Sequence, residues 1–193
     1  MSYKIIKRII DLLLSITFIV LLAPVLIAIT FLILLNMGWP VIFFQKRPGL
    51  NGKPFVIYKF RTMSIARNRK ELPDETRLTR LGRFLRSTSL DELPELINII
   101  KGDMSLVGPR PLLIEYLEKY TPRQMRRHET IPGITGLAQV KGRNTLTWST
   151  KFRFDVLYVD NQNIKLDLLI LLKTLKVVIL KKGFKITGEG KKF

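Results

Sequence analysis

Residues 12–35, LLLSITFIVLLAPVLIAITFLILL, form an apolar run of 24 residues without a charge. At about 1.5 Å rise per residue, a straight helix of this length measures roughly 36 Å, enough to cross about 30 Å of hydrocarbon. Pro24 stands at the midpoint, where within a continuous helix it would remove a hydrogen bond and clash with the carbonyl of Val20. The run therefore predicts either one kinked membrane span or two half-length helices that enter and leave on the same side.

Basic residues flank this run on both sides. Lys4, Lys7 and Arg8 precede it, and Lys46, Arg47 and Lys53 follow it. Because basic flanks favour the cytoplasmic side, a single span would carry one flank and its attached chain across the membrane. A re-entrant pair of helices keeps both flanks in the cytoplasm. From the residues alone the kinked span is the simpler interpretation, with the re-entrant pair as its alternative.

The composition narrows the classes of function. The chain has 193 residues, a formal net charge of +18, no cysteine and a single histidine, His128. Disulfides and thiolate metal sites are excluded, and histidine-rich metal sites are excluded with them. The positive charge predicts an anionic partner: a phospholipid surface, a nucleic acid or a phosphorylated substrate. The hydrophobic fraction of 47% favours the lipid surface.

After the apolar run, the pattern predicts a small β-hairpin followed mainly by helices. The hairpin strands are expected at 41–45 and 55–61, around the turn residues Asn51 and Gly52. Apolar periodicity predicts helices over 76–86, 91–101, 112–120, 148–159 and 164–182. The last of these carries lysines within its apolar core and is expected to lie in a membrane interface or in a protein core.

Asp91 and Glu92 are adjacent carboxylates at a predicted helix start. With Asp91 as N-cap, Pro94 falls third, where its missing N–H costs little. The free N–H groups and the dipole of such a start attract phosphate. The alternative, in which both carboxylates only cap and charge the helix, remains open from the pattern.

Arg110 stands between Pro109 and Pro111, which restrict it to an extended backbone. A guanidinium held in this way suits bidentate recognition of phosphate. The alternative is a loop arginine paired with a surface carboxylate.

These residues together suit phosphoryl chemistry. Asp91 could attack phosphorus and form a phospho-aspartyl intermediate, while Glu92 could hold a Mg²⁺ ion that bridges diphosphate oxygens. Lys59, Arg86 and Arg110 could neutralise the transferring phosphate.

Five segments extend the pattern beyond this local chemistry. They are VIFFQKRPG (41–49), YKFRTM (58–63), SLDELPELINIIKGDMSLVGPRP (89–111), PGITGLAQVKGRN (132–144) and DVLYVDNQNIKLDLLIL (155–171). In this order they resemble the bacterial sugar transferase family, and more narrowly its small monotopic phosphoglycosyl transferases. The resemblance runs from about residue 7 to 182.

The resemblance implies an activity, a cofactor and site residues. Such enzymes move a sugar 1-phosphate from a UDP-sugar to polyprenyl (undecaprenyl) phosphate, release UMP by a ping-pong mechanism and need Mg²⁺. The sugar is expected to be an N-acetylhexosamine derivative, with a hexose as the alternative. Asp91 is then the nucleophile, and Glu92 with Asp91 contacts the metal. The expected substrate-phosphate ligands are Lys59, Arg86, Arg110, Arg143 and Asp167.

The residue pattern and the resemblance together predict the fold class, which is α+β and mostly helical. Residues 1–36 form a re-entrant helix–break–helix at Pro24, where many members have Ser-Pro and this chain has Ala23-Pro24. Residues 37–193 form a membrane-associated cytosolic catalytic domain with the small hairpin and interfacial amphipathic helices. The expected location is the cytoplasmic face of the bacterial inner membrane. The expected partners are a UDP-sugar, polyprenyl phosphate and phospholipid, without nucleic acid.

Two other interpretations remain. A basic, membrane-anchored binding protein without catalysis would explain the charge, but it gives no reason for Asp91 and Glu92 beside Arg110. A hydrolase of UDP-sugars would keep the same site and use water in place of the lipid acceptor.

Overall fold

The computed structural model describes residues 2–65, 74–142 and 145–179. Within these ranges the chain is mostly helical with two small two-stranded sheets, which agrees with the predicted α+β class. The predicted division at residues 36 and 37 stays a prediction. Arg143 and the end of the last predicted helix, 180–182, lie outside the described residues.

The apolar run forms two helices rather than one. Helix α1 spans Tyr3–Leu21 and α2 spans Ala23–Met37, and the pair is bent by 61°. Pro24 lies in the first turn of α2, where a missing N–H costs no helix hydrogen bond. No single described helix is long and apolar enough to cross a membrane, whereas the bent pair together meets the length and composition of a broken span or re-entrant loop.

The predicted hairpin is confirmed. Strand β1 spans Ile42–Pro48 and pairs antiparallel with β2, Pro54–Phe60. Asn51 in the connecting turn has a φ of 53°, a left-handed conformation that Asn adopts more readily than most residues. The alternation along β2 turns Phe60 into the core, while the side chain of Lys59 is left available to the neighbouring site.

The predicted helix over 76–86 is wrong in its start and its continuity. Two helices occur instead, α3 at Asp74–Arg77 and α4 at Arg80–Thr88. Leu78 pairs with Met63 as an isolated β-bridge, which interrupts the helical hydrogen bonds. Thr79 then caps α4 with its side chain. A contact with a distant segment therefore overrides the local apolar spacing.

The placement of Asp91 as a helix N-cap is also wrong. Helix α5 spans Glu95–Lys101, while Asp91 lies in a separate 3₁₀ turn, Leu90–Glu92. Pro94 has no N–H to donate, so it stands at the N-cap and the regular hydrogen bonds begin after it. Gly102, with a φ of 92°, ends the helix as predicted.

The remaining elements are the second sheet and the later helices. Strand β3 (Ser105–Val107) pairs parallel with β4 (Gly133–Thr135), and the segment predicted as a helix over 112–120 is a 3₁₀ helix, Ile114–Lys119. The other helices are α6 (Pro122–Met125), α7 (Leu137–Lys141), α8 (Trp148–Asn161) and α9 (Ile164–Ile179). The main cluster of buried side chains joins the hairpin, α5, β3, α8 and α9 through Ile57, Leu96, Ile99, Leu106, Tyr158 and Ile170.

The first turns of α1 are bonded to this core. Arg8 donates to the carbonyls of Ile99 and Ile100 at 2.5 and 2.8 Å, where the last turn of α5 leaves its carbonyls without helical partners. Asp11, which is buried, accepts a hydrogen bond from the backbone N–H of Leu106 at 3.1 Å. The start of the apolar helix is thus placed directly against the segments that carry the candidate site.

Candidate active site

Asn98 of α5 joins the helix to β2 and thereby places Lys59. Its side chain accepts from the N–H of Tyr58 at 3.1 Å and donates to the carbonyl of Val56 at 2.7 Å. The next residue, Lys59, reaches Glu92 with an Nζ–Oε1 distance of 3.0 Å. A buried amide with both of its groups bonded therefore sets the register between the lysine and the acidic turn.

Glu92 is held by two cations. Its Oε1 accepts from Lys59 and, at 2.5 Å, from Nη2 of Arg110. Burial alone would raise the pKa of Glu92, but Arg110 and Lys59 hold this pKa well below its usual range. Glu92 is therefore ionised at neutral pH. The side chain of Arg110 stays 34% exposed, so a ligand can reach the guanidinium.

Asp91 has the opposite electrostatic situation. Burial and the adjacent charge of Glu92 raise its pKa to about 6, against the opposing effects of Lys59, Arg86 and Arg110. Two neighbouring carboxyl groups thus have pKa values moved in opposite directions. A carboxyl with a pKa near the working pH suits a nucleophile, and an ionised partner suits charge recognition.

Glu95 is a third carboxyl group that the sequence patterns did not single out. It is 1% exposed, and its Oε1 lies 3.1 Å from Nζ of Lys59. Burial raises the pKa of Glu95 to about 7, with Lys59 opposing and Glu92 adding to the shift. Glu95 follows Glu92 by three residues. In a helical segment this spacing places two side chains on the same face, so it is the sequence signal that would have indicated Glu95.

Arg86 is brought to the site by a close contact between α4 and the segment after β2. A Cβ on Gly82 would lie 1.9 Å from the carbonyl oxygen of Thr62, so only glycine allows this approach. One turn later, Nε of Arg86 donates to Oγ1 of Thr62 at 3.0 Å. The guanidinium lies close enough to Asp91 to lower its pKa.

Asp167 does not join this cluster. Its carboxylate accepts from the hydroxyls of Tyr3 and Tyr158 at 2.8 and 2.7 Å, and from Nζ of Lys7 at 2.9 Å. These partners link the start of α1 to α8 and α9. The predicted role of Asp167 in binding substrate phosphate stays a prediction, and so does that of Arg143, which lies outside the described residues.

Asp91 and Glu92 supply the kind of oxygen ligands that Mg²⁺ prefers. Among the described residues there is no group of three or more histidine, aspartate or glutamate side chains placed to hold a metal ion. Mg²⁺ commonly uses one or two protein carboxylates and takes its other ligands from substrate phosphates and water. Two adjacent carboxylates are therefore compatible with a magnesium ion that takes its remaining ligands from other molecules.

Comparison with known proteins places this geometry in context. A family model described as "Bacterial sugar transferase" matches residues 2–181. The chain is 53% identical over 187 residues to the "Uncharacterized sugar transferase EpsL" of Bacillus subtilis (strain 168), a match that covers 96% of this chain and 93% of that protein.

Two relatives have more specific names. The chain is 40% identical over 201 residues to the "Undecaprenyl-phosphate galactose phosphotransferase" of Salmonella typhimurium, covering 94% of this chain. It is also 40% identical over 185 residues to the "UDP-glucose:undecaprenyl-phosphate glucose-1-phosphate transferase" of Escherichia coli (strain K12), covering 89% of this chain. The matches span only 42% and 39% of these two longer proteins.

Proposed function

The chain belongs to the bacterial sugar transferase family, and we propose that it transfers a sugar 1-phosphate from a UDP-sugar to undecaprenyl phosphate and releases UMP. The names of the Salmonella and Escherichia relatives support this donor and acceptor class. The observation that carries the proposal is the adjacent pair Asp91 and Glu92, in which Lys59 and Arg110 contact the Glu92 carboxylate and Arg86 lies near Asp91.

In the proposed reaction the ionised carboxylate of Asp91 attacks the phosphorus atom that bears the sugar. The bond between this phosphorus and the oxygen bridging to UMP breaks, and UMP leaves with the electron pair. The phospho-aspartyl group then holds the sugar 1-phosphate. A phosphate oxygen of undecaprenyl phosphate attacks the same phosphorus, the bond to Asp91 breaks, and the carboxylate is regenerated.

The cations around the dyad fit a role in charge stabilisation. Lys59 and Arg110 already lie against the carboxylate of Glu92, and Arg86 lies near Asp91. Because they are in place before substrate binds, they can neutralise charge on the transferring phosphate without large rearrangement. Glu92 and Asp91 would hold Mg²⁺, which when bound would neutralise charge on the diphosphate.

We place the bent helices α1 and α2 in the membrane as a re-entrant pair, at the cytoplasmic face of the bacterial inner membrane. Their bend of 61° and basic flanks support this arrangement. Large apolar side chains are exposed along both helices, among them Leu13, Val20, Leu21, Ile27, Phe31 and Leu35. An exposed apolar surface of this extent is typical of a membrane contact. The anchor would hold Asp91 near the phosphate of the lipid acceptor.

The membrane arrangement can be tested with single cysteines, because the chain contains none of its own. Cysteines replacing Ser2 and Asn51 lie before and after the apolar run. With a membrane-impermeant thiol reagent on sealed inverted vesicles, a re-entrant pair predicts labelling of both, and vesicles of the opposite orientation should protect both. Labelling of the two positions from opposite sides would overturn the re-entrant arrangement.

The activity is tested by a panel of UDP-sugars with undecaprenyl phosphate, measuring UMP release. N-acetylhexosamine donors are expected to be used best. Asp91→Asn should abolish turnover without unfolding the protein, while Asp160→Asn, an exposed carboxyl of α8, serves as the matched control and should keep wild-type activity. Release of no UMP from any donor would overturn the proposed function and favour a binding protein without catalysis.

The intermediate is tested without the lipid. Radiolabelled UMP should exchange into the UDP-sugar when acceptor is absent, because the first half of a ping-pong reaction is reversible. An active enzyme that shows no exchange would favour direct transfer in a ternary complex. Release of free sugar 1-phosphate, with no lipid product when the acceptor is present, would indicate hydrolysis instead.

A further inference from the structure

Arg127 is a buried cation that the proposed reaction does not use. It is 2% exposed and lies in a 3₁₀ turn, Arg126–His128. Its Nε and Nη2 donate to one carboxylate oxygen of Asp155 in α8, at 3.0 and 2.8 Å. A buried ion pair is weak evidence for stability, because desolvation offsets much of its attraction. The role of Arg127 is therefore better indicated by the other hydrogen bonds of its guanidinium.

The remaining strong hydrogen bond of Arg127 goes to the backbone of the site. Its Nη2 also donates to the carbonyl of Arg110 at 2.6 Å. Arg110 is the residue whose side chain pairs with Glu92. A continuous set of contacts thus runs from Asp155 through Arg127 to the backbone of Arg110, and from its side chain to the acidic dyad.

The two residues before Arg110 are held in a similar way by β4. The N–H of Gly108 donates to the carbonyl of Thr135 at 2.9 Å, and the N–H of Gly133 donates to the carbonyl of Pro109 at 3.0 Å. The backbone hydrogen bonds to β4 therefore reach as far as Pro109. The buried guanidinium supplies the next backbone contact, at the residue that carries the functional side chain.

We propose that Arg127, oriented by Asp155, is a positioning residue that fixes the backbone of Arg110 and so keeps its guanidinium at Glu92. The inference rests on the proposed function, in which Arg110 contacts the transferring phosphate. The long side chain of Arg110 loses rotamer freedom when it is held in one geometry. A backbone that is already fixed leaves fewer rotatable bonds to be ordered when substrate binds. Small displacements of such a group lower rates by about 10²-fold.

Arg127→Lys is the informative substitution. Lysine keeps the charge, but its single ammonium cannot reproduce the planar fork that reaches both Asp155 and the carbonyl of Arg110. Tyr120→Phe is the matched control, since it removes only the hydroxyl that lies 3.4 Å from Nη1 of the same guanidinium. We expect Arg127→Lys to lower kcat for UMP release about 10- to 100-fold, with a smaller change in KM for the UDP-sugar. Tyr120→Phe should stay within about twofold of wild type.

A double-mutant cycle separates positioning from general destabilisation. If Arg127 acts through Arg110, then adding Arg127→Lys to Arg110→Gln should cause little further loss of kcat. Losses that multiply in the double variant would overturn the proposal. If Arg127→Lys does not yield folded protein, Asp155→Asn replaces it in the cycle, because it loosens the guanidinium while leaving Arg127 in place.

Hydrogen exchange supplies a readout that does not depend on activity. In solubilised protein, peptides covering 105–116 should exchange faster in Arg127→Lys than in wild type, while Tyr120→Phe should match wild type. Unchanged exchange in this segment would overturn the positioning role. Failure of wild-type protein to release UMP would overturn the proposed function alone, since the exchange experiment still decides whether Arg127 orders the Arg110 segment.

Discussion

The guanidinium of Arg110 donates a 2.5 Å hydrogen bond to the carboxylate of Glu92, across 18 residues of chain. Lys59 donates to the same oxygen from the β-hairpin. One ionised carboxylate thereby holds two cations in place beside Asp91. The charge of Glu92 thus orients both cations before any substrate is present.

Substitution Glu92→Gln should lower kcat by about 10²- to 10³-fold while leaving the protein folded. The amide keeps the size of the side chain but removes the charge that gathers Lys59 and Arg110. The measurement is UMP release, with Glu118→Gln, a carboxyl outside the site, as the control for a glutamate-to-glutamine change. Wild-type kcat in Glu92→Gln would contradict a role for this charge.

The rate should fall on the acid side of about pH 6. Burial and the charge of Glu92 raise the pKa of Asp91 to about 6, and only the ionised carboxylate is nucleophilic. Below that pH, kcat/KM for the UDP-sugar should therefore drop about tenfold per pH unit. In a ping-pong reaction this parameter reports only the first half, so titration of the lipid phosphate does not enter.

The pH profile of the Glu92→Gln variant can be compared with that of wild type. Removal of the Glu92 charge eliminates one cause of the raised pKa of Asp91, so the acid limb of Glu92→Gln should move to lower pH in its residual activity. A profile of the wild-type enzyme that stays flat down to pH 5 would argue against the raised pKa of Asp91.

Gly82→Ala should both destabilise the protein and lower its activity. The new Cβ would lie 1.9 Å from the carbonyl oxygen of Thr62, so α4 must move away and carry Arg86 with it. Overpacking of this kind typically costs about 1–3 kcal/mol. Thermal unfolding and UMP release measure the two effects, and Ser87→Ala on the same helix is the control. A Gly82→Ala enzyme with wild-type stability would contradict the close contact.

Asp167→Asn should lower the melting temperature, and Lys7→Met should do the same, because the two side chains form an ion pair at 2.9 Å between α1 and α9. Removal of one partner leaves the other charge partly buried and unpaired. Kinetics test the substrate role predicted for Asp167. A selective rise in KM for the UDP-sugar in Asp167→Asn, absent from Lys7→Met, would support that role, whereas parallel effects would assign the residue to joining the helices.

His128 should contribute stability that is lost in mild acid. Burial lowers its pKa to about 4, and the charge of Arg127 adds to the effect. Since the unfolded chain protonates this histidine more readily than the folded chain does, the contribution of His128 to stability is complete above about pH 6.5 and is lost as the pH falls towards 4. The loss should reach about 2–3 kcal/mol by pH 4.

The comparison for His128 is a variant without the titrating group. His128→Asn keeps a donor for the carbonyl of Gly49, to which Nδ1 of His128 donates at 3.2 Å. Between pH 6.5 and 4.5 the melting temperature of wild type should fall relative to that of this variant. Equal slopes would contradict a buried, neutral histidine.

Local sequence rules predicted those parts of the fold whose causes are local. Asn51 and Gly52 predicted the hairpin turn, Gly102 the end of α5, and Pro24 the break between the first two helices. In each case the cause lies in the backbone preferences of one or two residues. The same rules failed at Leu78, where pairing with Met63, 15 residues earlier, replaces a helical turn.

The candidate site likewise has features that the sequence predicts and features that depend on contacts between distant segments. Its acidic dyad and its cations Lys59, Arg86 and Arg110 were predicted as residue types suited to phosphoryl transfer, and the structure brings all five together. Residue identity and the family pattern predicted which groups are present and in what order, and the roles of these groups in the reaction stay predictions.

Only the tertiary structure decided the state of each group and its support. The opposite pKa shifts of Asp91 and Glu92 depend on burial and on cations contributed by the hairpin and a distant loop. Arg127 and Asp155 carry no motif, yet they hold the backbone of Arg110 from elements 17 and 45 positions further along the chain. The sequence by itself determined which chemistry is available. Burial and contacts between distant segments decided which carboxyl stays ionised and which arginine is positioned, because electrostatic energies depend on distance and solvation in the folded chain.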